Sequence, residues 1–292
     1  MRSLLIFTIS FTLLYPVISQ AQMTDVYVSA HPDDWQLFMN PNAYHSLKND
    51  QHKVIFLHTT AGDAGAGQGE NNYYLAREEG SQRAIRLMVN ALAGYNTLGS
   101  QPKETPVTHN GHPIKRMEFG NAVIYFLRLP DGNYYGPGYP VHDNKSLQKL
   151  LKGEVSDIGT VDKSTSYKDR SDLSKTITEL LRSERTTGDT LRLNIAETDS
   201  LVNPGDHSDH RYSSHLMQGL AKDAGTNIIR YYIEYHSNTL PMNVFPEDYL
   251  ISAGVWGATA SGLSDMEHYS TWDATHNSWI GRQYYREEVL DE

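Results

Sequence analysis

Two short polar runs concentrate the residues able to do chemistry. His31-Pro32-Asp33-Asp34 holds one imidazole and two carboxylates, and Asp206-His207-Ser208-Asp209-His210 holds two of each. The chain has no Cys, so thiolate nucleophiles, sulfur-ligated metals and disulfides are excluded together. A hydrolytic metal suits what remains. Catalytic zinc takes about three His or carboxylate ligands and keeps one position open for water. His31 and Asp34 lie three residues apart and face the same way if the chain turns helical at Pro32. His210 completes a His–Asp–His set. Asp33 is left beside the metal, where a general base for the attacking water belongs. His207 is placed to stabilise a tetrahedral oxyanion or to protonate a leaving amine. These are the parts for hydrolysing an unactivated amide or ester. Each run also has a plainer reading, as a helix N-cap or as surface histidines. The two together, each behind a strand, favour the site.

Strands and helices must bring the runs together. Residues 25–30 (DVYVSA), 53–58 (KVIFLH), 121–129 (NAVIYFLRL), 191–197 (LRLNIAE) and 227–235 (NIIRYYIEY) read as strands. Residues 74–92, 173–185 and 211–224 read as amphipathic helices. Residues 35–47 read as an irregular helix interrupted by Pro41, and Asn110-Gly111 signals a hairpin. The alternation predicts an α/β, Rossmann-like fold with a mostly parallel sheet flanked by helices. Ligands bind such sheets beyond the carboxyl ends of the strands, which is where both runs stand. The Gly-rich stretch 61–69 matches neither a phosphate-binding nor a dinucleotide-binding loop. It reads as a flexible loop that brings Asp63 or Glu70 near the site. Residues 131–172 read as a long surface excursion. His45, His52, His109, His112 and His142 lack context and read as surface residues, and His215 as a surface or supporting residue.

The chain has 292 residues, 39% of them hydrophobic, with 25 Lys and Arg against 35 Asp and Glu, a net charge of -10. That is enough for a substantial core, and the acidic balance argues against nucleic-acid partners. Residues 1–21 read as a secretory signal peptide: Arg2, an apolar run at 4–17 shorter than the ~20 residues that cross a bilayer, then Ser19-Gln20-Ala21 for cleavage near Ala21. An N-terminal anchor is the competing reading. Cleavage makes the charge one unit more negative. Residues 22–292 are then expected to form a single domain outside the cytoplasm, periplasmic or extracellular, with no membrane-spanning segment. Oligomeric state is not legible. Tyr134 and Tyr135, with Tyr139, follow Asp131 at a strand end and suit the apolar faces of sugar rings.

The paired runs resemble the PIG-L, or LmbE-like, family of zinc-dependent de-N-acetylases, which includes N-acetylglucosaminyl-phosphatidylinositol and mycothiol-pathway deacetylases. Val28-Ser29-Ala30-His31-Pro32-Asp33-Asp34 matches its first signature, and His207-Ser208-Asp209-His210 its HPDH signature with Ser in place of Pro. Arg77-Glu78-Glu79 opening a helix and Asp131-Gly132 after a strand fit the order between them. The likeness covers residues 25–224. It implies His31, Asp34 and His210 as metal ligands, Asp33 as base, His207 at the tetrahedral intermediate, and Arg77 and Asp131 at sugar hydroxyls. The expected activity is removal of an N-acyl group, acetyl first, from an amino sugar or glycoconjugate. Zn2+ is the expected metal, although such ligands also accept iron, cobalt or manganese. A metallo-amidase for a non-sugar substrate and a non-catalytic glycan-binding protein are the alternatives. The 131–172 excursion departs from compact relatives and bears on the substrate, because loops at this face shape the pocket.

Overall fold

The computed structural model describes residues 22–69, 72–93, 101–185 and 188–290; residues 1–21, read above as a signal peptide, and Glu70 lie outside them. In chain order the strands are β1 (Met23–Ser29), β2 (His52–Thr60), β3 (Lys103–Glu104), β4 (Val107–His109), β5 (His112–Phe119), β6 (Ala122–Leu129), β7 (Ile158–Gly159), β8 (Ser166–Tyr167), β9 (Thr190–Ala196), β10 (Ile228–Tyr232) and β11 (Tyr285–Val289). The helices are α1 (Asn42–Lys48), α2 (Tyr73–Ala93), α3 (Leu147–Lys152), α4 (Arg170–Glu184), α5 (Ser208–Ala224), α6 (Pro246–Asp265) and α7 (Ala274–Asn277). The main sheet runs β11-β10-β9-β1-β2-β6-β5-β3, with β4 also paired to β5. Its centre, β10-β9-β1-β2-β6, is parallel, and antiparallel strands close both edges. The fold is α/β and Rossmann-like, as the alternation predicts.

Burial on both faces explains the nearly continuous apolar strands. Val26, Val28, Ile55, Leu57, Val123 and Tyr125 point into one core layer, which α4 and α5 cover through Leu173, Ile177, Leu216 and Leu220. Tyr27, Val54, Phe56, Ile124 and Phe126 point into the other, against Ile85 and Met88 of α2 and Val255 and Trp256 of α6. A β-carbon on Gly262 would stand 2.6 Å from the Gly80 Cα, so both glycines let α2 and α6 touch backbone to backbone. Sequence periodicity does not reveal α6. It carries Gly254, Gly257 and Gly262, each unfavourable in an isolated helix by about 1 kcal/mol.

Several boundaries move. The irregular helix is a short π-helical turn, Trp35–Met39, followed by α1 beyond Pro41. Asn110-Gly111 forms a two-residue hairpin between paired His109 and His112, with φ of 48° and 84°. Helix α5 begins at Ser208, so His207 caps it and His210 lies in its first turn. The 131–172 stretch is not merely surface: Leu147, Leu150, Ile158, Val161 and Tyr167 are buried. No helix among the described residues is long and apolar enough to cross a membrane.

The chain moves outward from β1 to β2 and β6, then returns to the far side of β1 as β9. The carboxyl ends of β1 and β9 therefore flank a switch point, where an open α/β sheet leaves a crevice. One polar run follows each of these strands.

Candidate metal centre

Three donor atoms meet in that crevice. His31 Nδ1 lies 3.5 Å from Asp34 Oδ1, Asp34 Oδ1 lies 3.3 Å from His210 Nε2, and the two nitrogens are 3.2 Å apart. Tetrahedral ligands about 2.0–2.1 Å from a metal lie about 3.4 Å from one another. The residues present fit a metal ion on both spacing and donor type. His207 also brings a nitrogen within 4.8 Å of His31 and His210.

The surroundings fix which atoms face the centre. Asp34 Oδ2 accepts the His31 backbone N–H at 2.7 Å, leaving Oδ1 free. The Asp209 carboxylate stands 3.4 Å from His31 Nε2, so that nitrogen donates, and the neutral ring that a metal requires would offer its lone pair at Nδ1. His210 Nδ1 donates to Asp206 at 2.8 Å and has Glu234 Oε2 at 2.6 Å, leaving Nε2 for the centre. Asp206, Asp209 and Glu234 are buried, and Asp209 Oδ1 has no hydrogen-bond partner. The site is rich in negative charge. Burial lowers the His31 pKa, but the Asp34 charge and the Asp209 contact overcome it and raise His31 to about 10. Burial and repulsion from Asp206 and Asp34 raise Glu234 to about 8, against the pull of His210. Buried His and carboxylate groups at this density could hold a cation.

Asp33 and His207 flank the triangle. Arg77 of α2 sends Nη2 to Asp33 and Nη1 to the Gly62 carbonyl at 2.9 Å. The guanidinium expected at substrate hydroxyls is thus occupied in fixing Asp33. His207 Nδ1 accepts the Asp209 N–H at 3.1 Å, which leaves its proton on Nε2. Burial, with repulsion from His31, pushes His207 down to about 3, so the ring is neutral.

A cavity of about 310 Å³ opens over these groups. Asp131, Tyr134 and Tyr139 line it, as do His31, Asp33, Asp34, Arg77 and His207. Asp131 accepts the Asn133 and Ala64 N–H groups. The Tyr134 hydroxyl donates to the Gly205 carbonyl, tying together the loops after β6 and β9. Tyr135 is 77% exposed and does not line the cavity.

Sequence reading places Asp206 and Asp209 in the second run without a role, and assigns none to Glu234, Tyr235, His276 or Trp279. Glu234 and Tyr235 follow β10, so the strand-end rule that found the two runs points to them as well. His276 and Trp279 carry no such signal. The surface reading fails for two histidines. His112 is buried between Thr165 and Asp172, at 2.7 and 3.2 Å. His142 reaches Asp63 at 2.7 Å, tying the excursion to the Gly-rich loop.

Comparison of the chain with protein-family models and with curated proteins gives no match.

Proposed function

We propose that this protein is a metal-dependent hydrolase that removes an N-acyl group, acetyl in the first instance, from an amino sugar or its glycoconjugate. The observation that carries the metal reading is the buried triangle of His31 Nδ1, Asp34 Oδ1 and His210 Nε2, each oriented by a separate hydrogen-bonded group. Zn2+ is the favoured metal by ligand type. When bound, such an ion polarises an amide carbonyl and acidifies water. Asp33 takes the proton of the attacking water, with its carboxylate fixed by Arg77. His207 donates its Nε2–H to the carbonyl oxygen as charge builds there. Asp33 then returns the proton to the nitrogen as the carbon–nitrogen bond breaks, and the amine leaves. The sugar comes from the PIG-L-like resemblance of the two runs, and secretion from the leader.

The test joins two measurements on one preparation of residues 22–292: metal content, and amine release from a panel of N-acetylated saccharides, peptides and lipids. The reading expects about one equivalent of divalent metal, with amine released from saccharides. Asp33→Asn should keep the metal and lose most turnover. Full activity in Asp33→Asn would sink the assigned base, and glycan binding without product would favour the non-catalytic alternative.

A further inference from the structure

Part of the cavity wall, Tyr235, His276 and Trp279, comes from residues beyond the likeness to the deacetylase family. Tyr235 and Trp279 stack with ring centroids 5.1 Å apart and planes at 20°. Phe38 packs edge-on against Trp279 at 5.4 Å. The Trp279 Nε1–H is already used on the Tyr235 carbonyl at 3.0 Å, so the indole offers the cavity apolar carbon alone. The Tyr235 hydroxyl has no hydrogen-bond partner among the described residues, although its ring packs on His210 at 4.9 Å. His276 is fixed on two sides. Its Nδ1 meets Asp273 at 2.8 Å, and Trp256 stacks on it at 5.7 Å and 17°. Its Nε2 has no protein partner among the described residues, and the residue lines the cavity.

The charges of the lining select as well. Its carboxylates are Asp33, Asp34 and Asp131, and Arg77, already committed to Asp33 and Gly62, is its one Lys or Arg among the described residues. A divalent ion would bring those groups to neutrality, with no positive charge to spare for an anionic substituent. The volume is at the low end for a ligand cavity, suited to one ring with its acyl group.

We propose that Tyr235, His276 and Trp279 form a ring subsite that selects a neutral acylamino sugar and rejects phosphorylated or carboxylated ones. This rests on the reading of the cavity as an N-acyl amino-sugar site. Trp279 and Tyr235 pack against the apolar face of the ring, and His276 Nε2 bonds a ring hydroxyl.

The experiment reads binding apart from hydrolysis. Zinc-loaded Asp33→Asn protein is titrated with N-acetylglucosamine, N-acetylgalactosamine and N-acetylglucosamine 6-phosphate. At least one neutral sugar should bind, and its 6-phosphate about tenfold or more weaker. Added to that background, Trp279→Ala and His276→Ala should each weaken the neutral sugar about tenfold at unchanged zinc content. His276 lies on a four-residue helix at the surface, so its variant tests the subsite even where Trp279→Ala fails to fold. Equal binding of the 6-phosphate, unchanged affinity in His276→Ala, or no sugar bound would overturn the subsite. If sugars bind as expected but the parent releases no amine, the hydrolase reading fails and the subsite stands. If the parent releases amine equally well from neutral and phosphorylated sugars, the hydrolase reading stands and the subsite fails.

Discussion

Charged side chains are buried at both ends of the parallel strands, but they are balanced differently. At the amino ends, Asp25 pairs with Arg192 at 2.5 Å and with His52 at 3.3 Å. Nearby, Glu184 takes Lys53 at 2.9 Å, Arg116 at 2.8 Å and the Tyr125 hydroxyl at 2.5 Å. Each of these carboxylates meets a permanent cation. At the carboxyl ends, Asp33, Asp34, Asp131, Asp206, Asp209 and Glu234 surround three histidines, and Arg77 is the one permanent cation paired with them among the described residues. Two imidazole nitrogens there lie 3.2 Å apart, close enough to share one ion. A balanced buried network is complete as folded, whereas an unbalanced one could hold a cation from solution.

The largest effect expected from that contrast is at His210. His210→Ala removes one vertex of the triangle together with the imidazole that meets Asp206 and Glu234, so metal content and amine release should both collapse. Metal analysis checks the first, and retention of full metal would break the comparison at once. Asp33→Asn should separate the two: metal retained, kcat down about 10²–10⁴-fold, measured by amine release.

How much of this is legible in the sequence follows from how local each feature is. Ligands three residues apart, in runs behind apolar strands, show in the sequence because one turn of backbone places them. The parallel sheet shows because strands buried on both faces read as continuous apolar runs. The remainder is set by tertiary contact. The contact of Arg77 with Asp33 does not show in the sequence, because α2 and the first run meet only in the fold. Glu234 reaches His210 only because β10 lies beside β9, and Trp279 enters the cavity only after α6 has crossed α2. Helix α6 is hidden by the glycines that permit that crossing. Tyr135 departs from expectation because neighbouring residues in a loop point different ways: Tyr134 faces the cavity and Tyr135 faces solvent.

A smaller effect tests the balanced end. Glu184→Gln leaves Lys53 and Arg116 without their shared anion, and should cost about 3 kcal/mol by chemical denaturation at neutral pH. The sign of the pH dependence is set by the ion pairs. They hold Glu184 down to about 2 from 4.5, against burial that would raise it. Its stabilisation is therefore full above pH 4.5 and is lost as pH falls towards 2. The stability gap between parent and variant should close over that window and stay constant above it. A gap still open at the acid end would mean that the substitution disturbs packing rather than charge.

The smallest effect should have a different sign in the metal-free protein. Glu234→Gln at the carboxyl end keeps the shape of the side chain and replaces a carboxyl that burial, Asp206 and Asp34 already hold largely neutral without metal. Glu234 Oε2 lies 2.6 Å from His210 Nδ1, which already donates to Asp206, so a neutral amide in place of a carboxyl already held largely neutral forfeits little in the metal-free protein. Thermal stability without metal should hold or rise, whereas the same kind of change at Glu184 lowers it. Metal affinity should fall about 10- to 100-fold, because His210 loses a carboxylate that strengthens its Nε2 as a ligand. Competition with a chelator of known affinity reads the second effect, and melting in that chelator reads the first. If Glu234→Gln destabilises the metal-free protein as much as Glu184→Gln does, both ends are structural networks and the contrast between them fails.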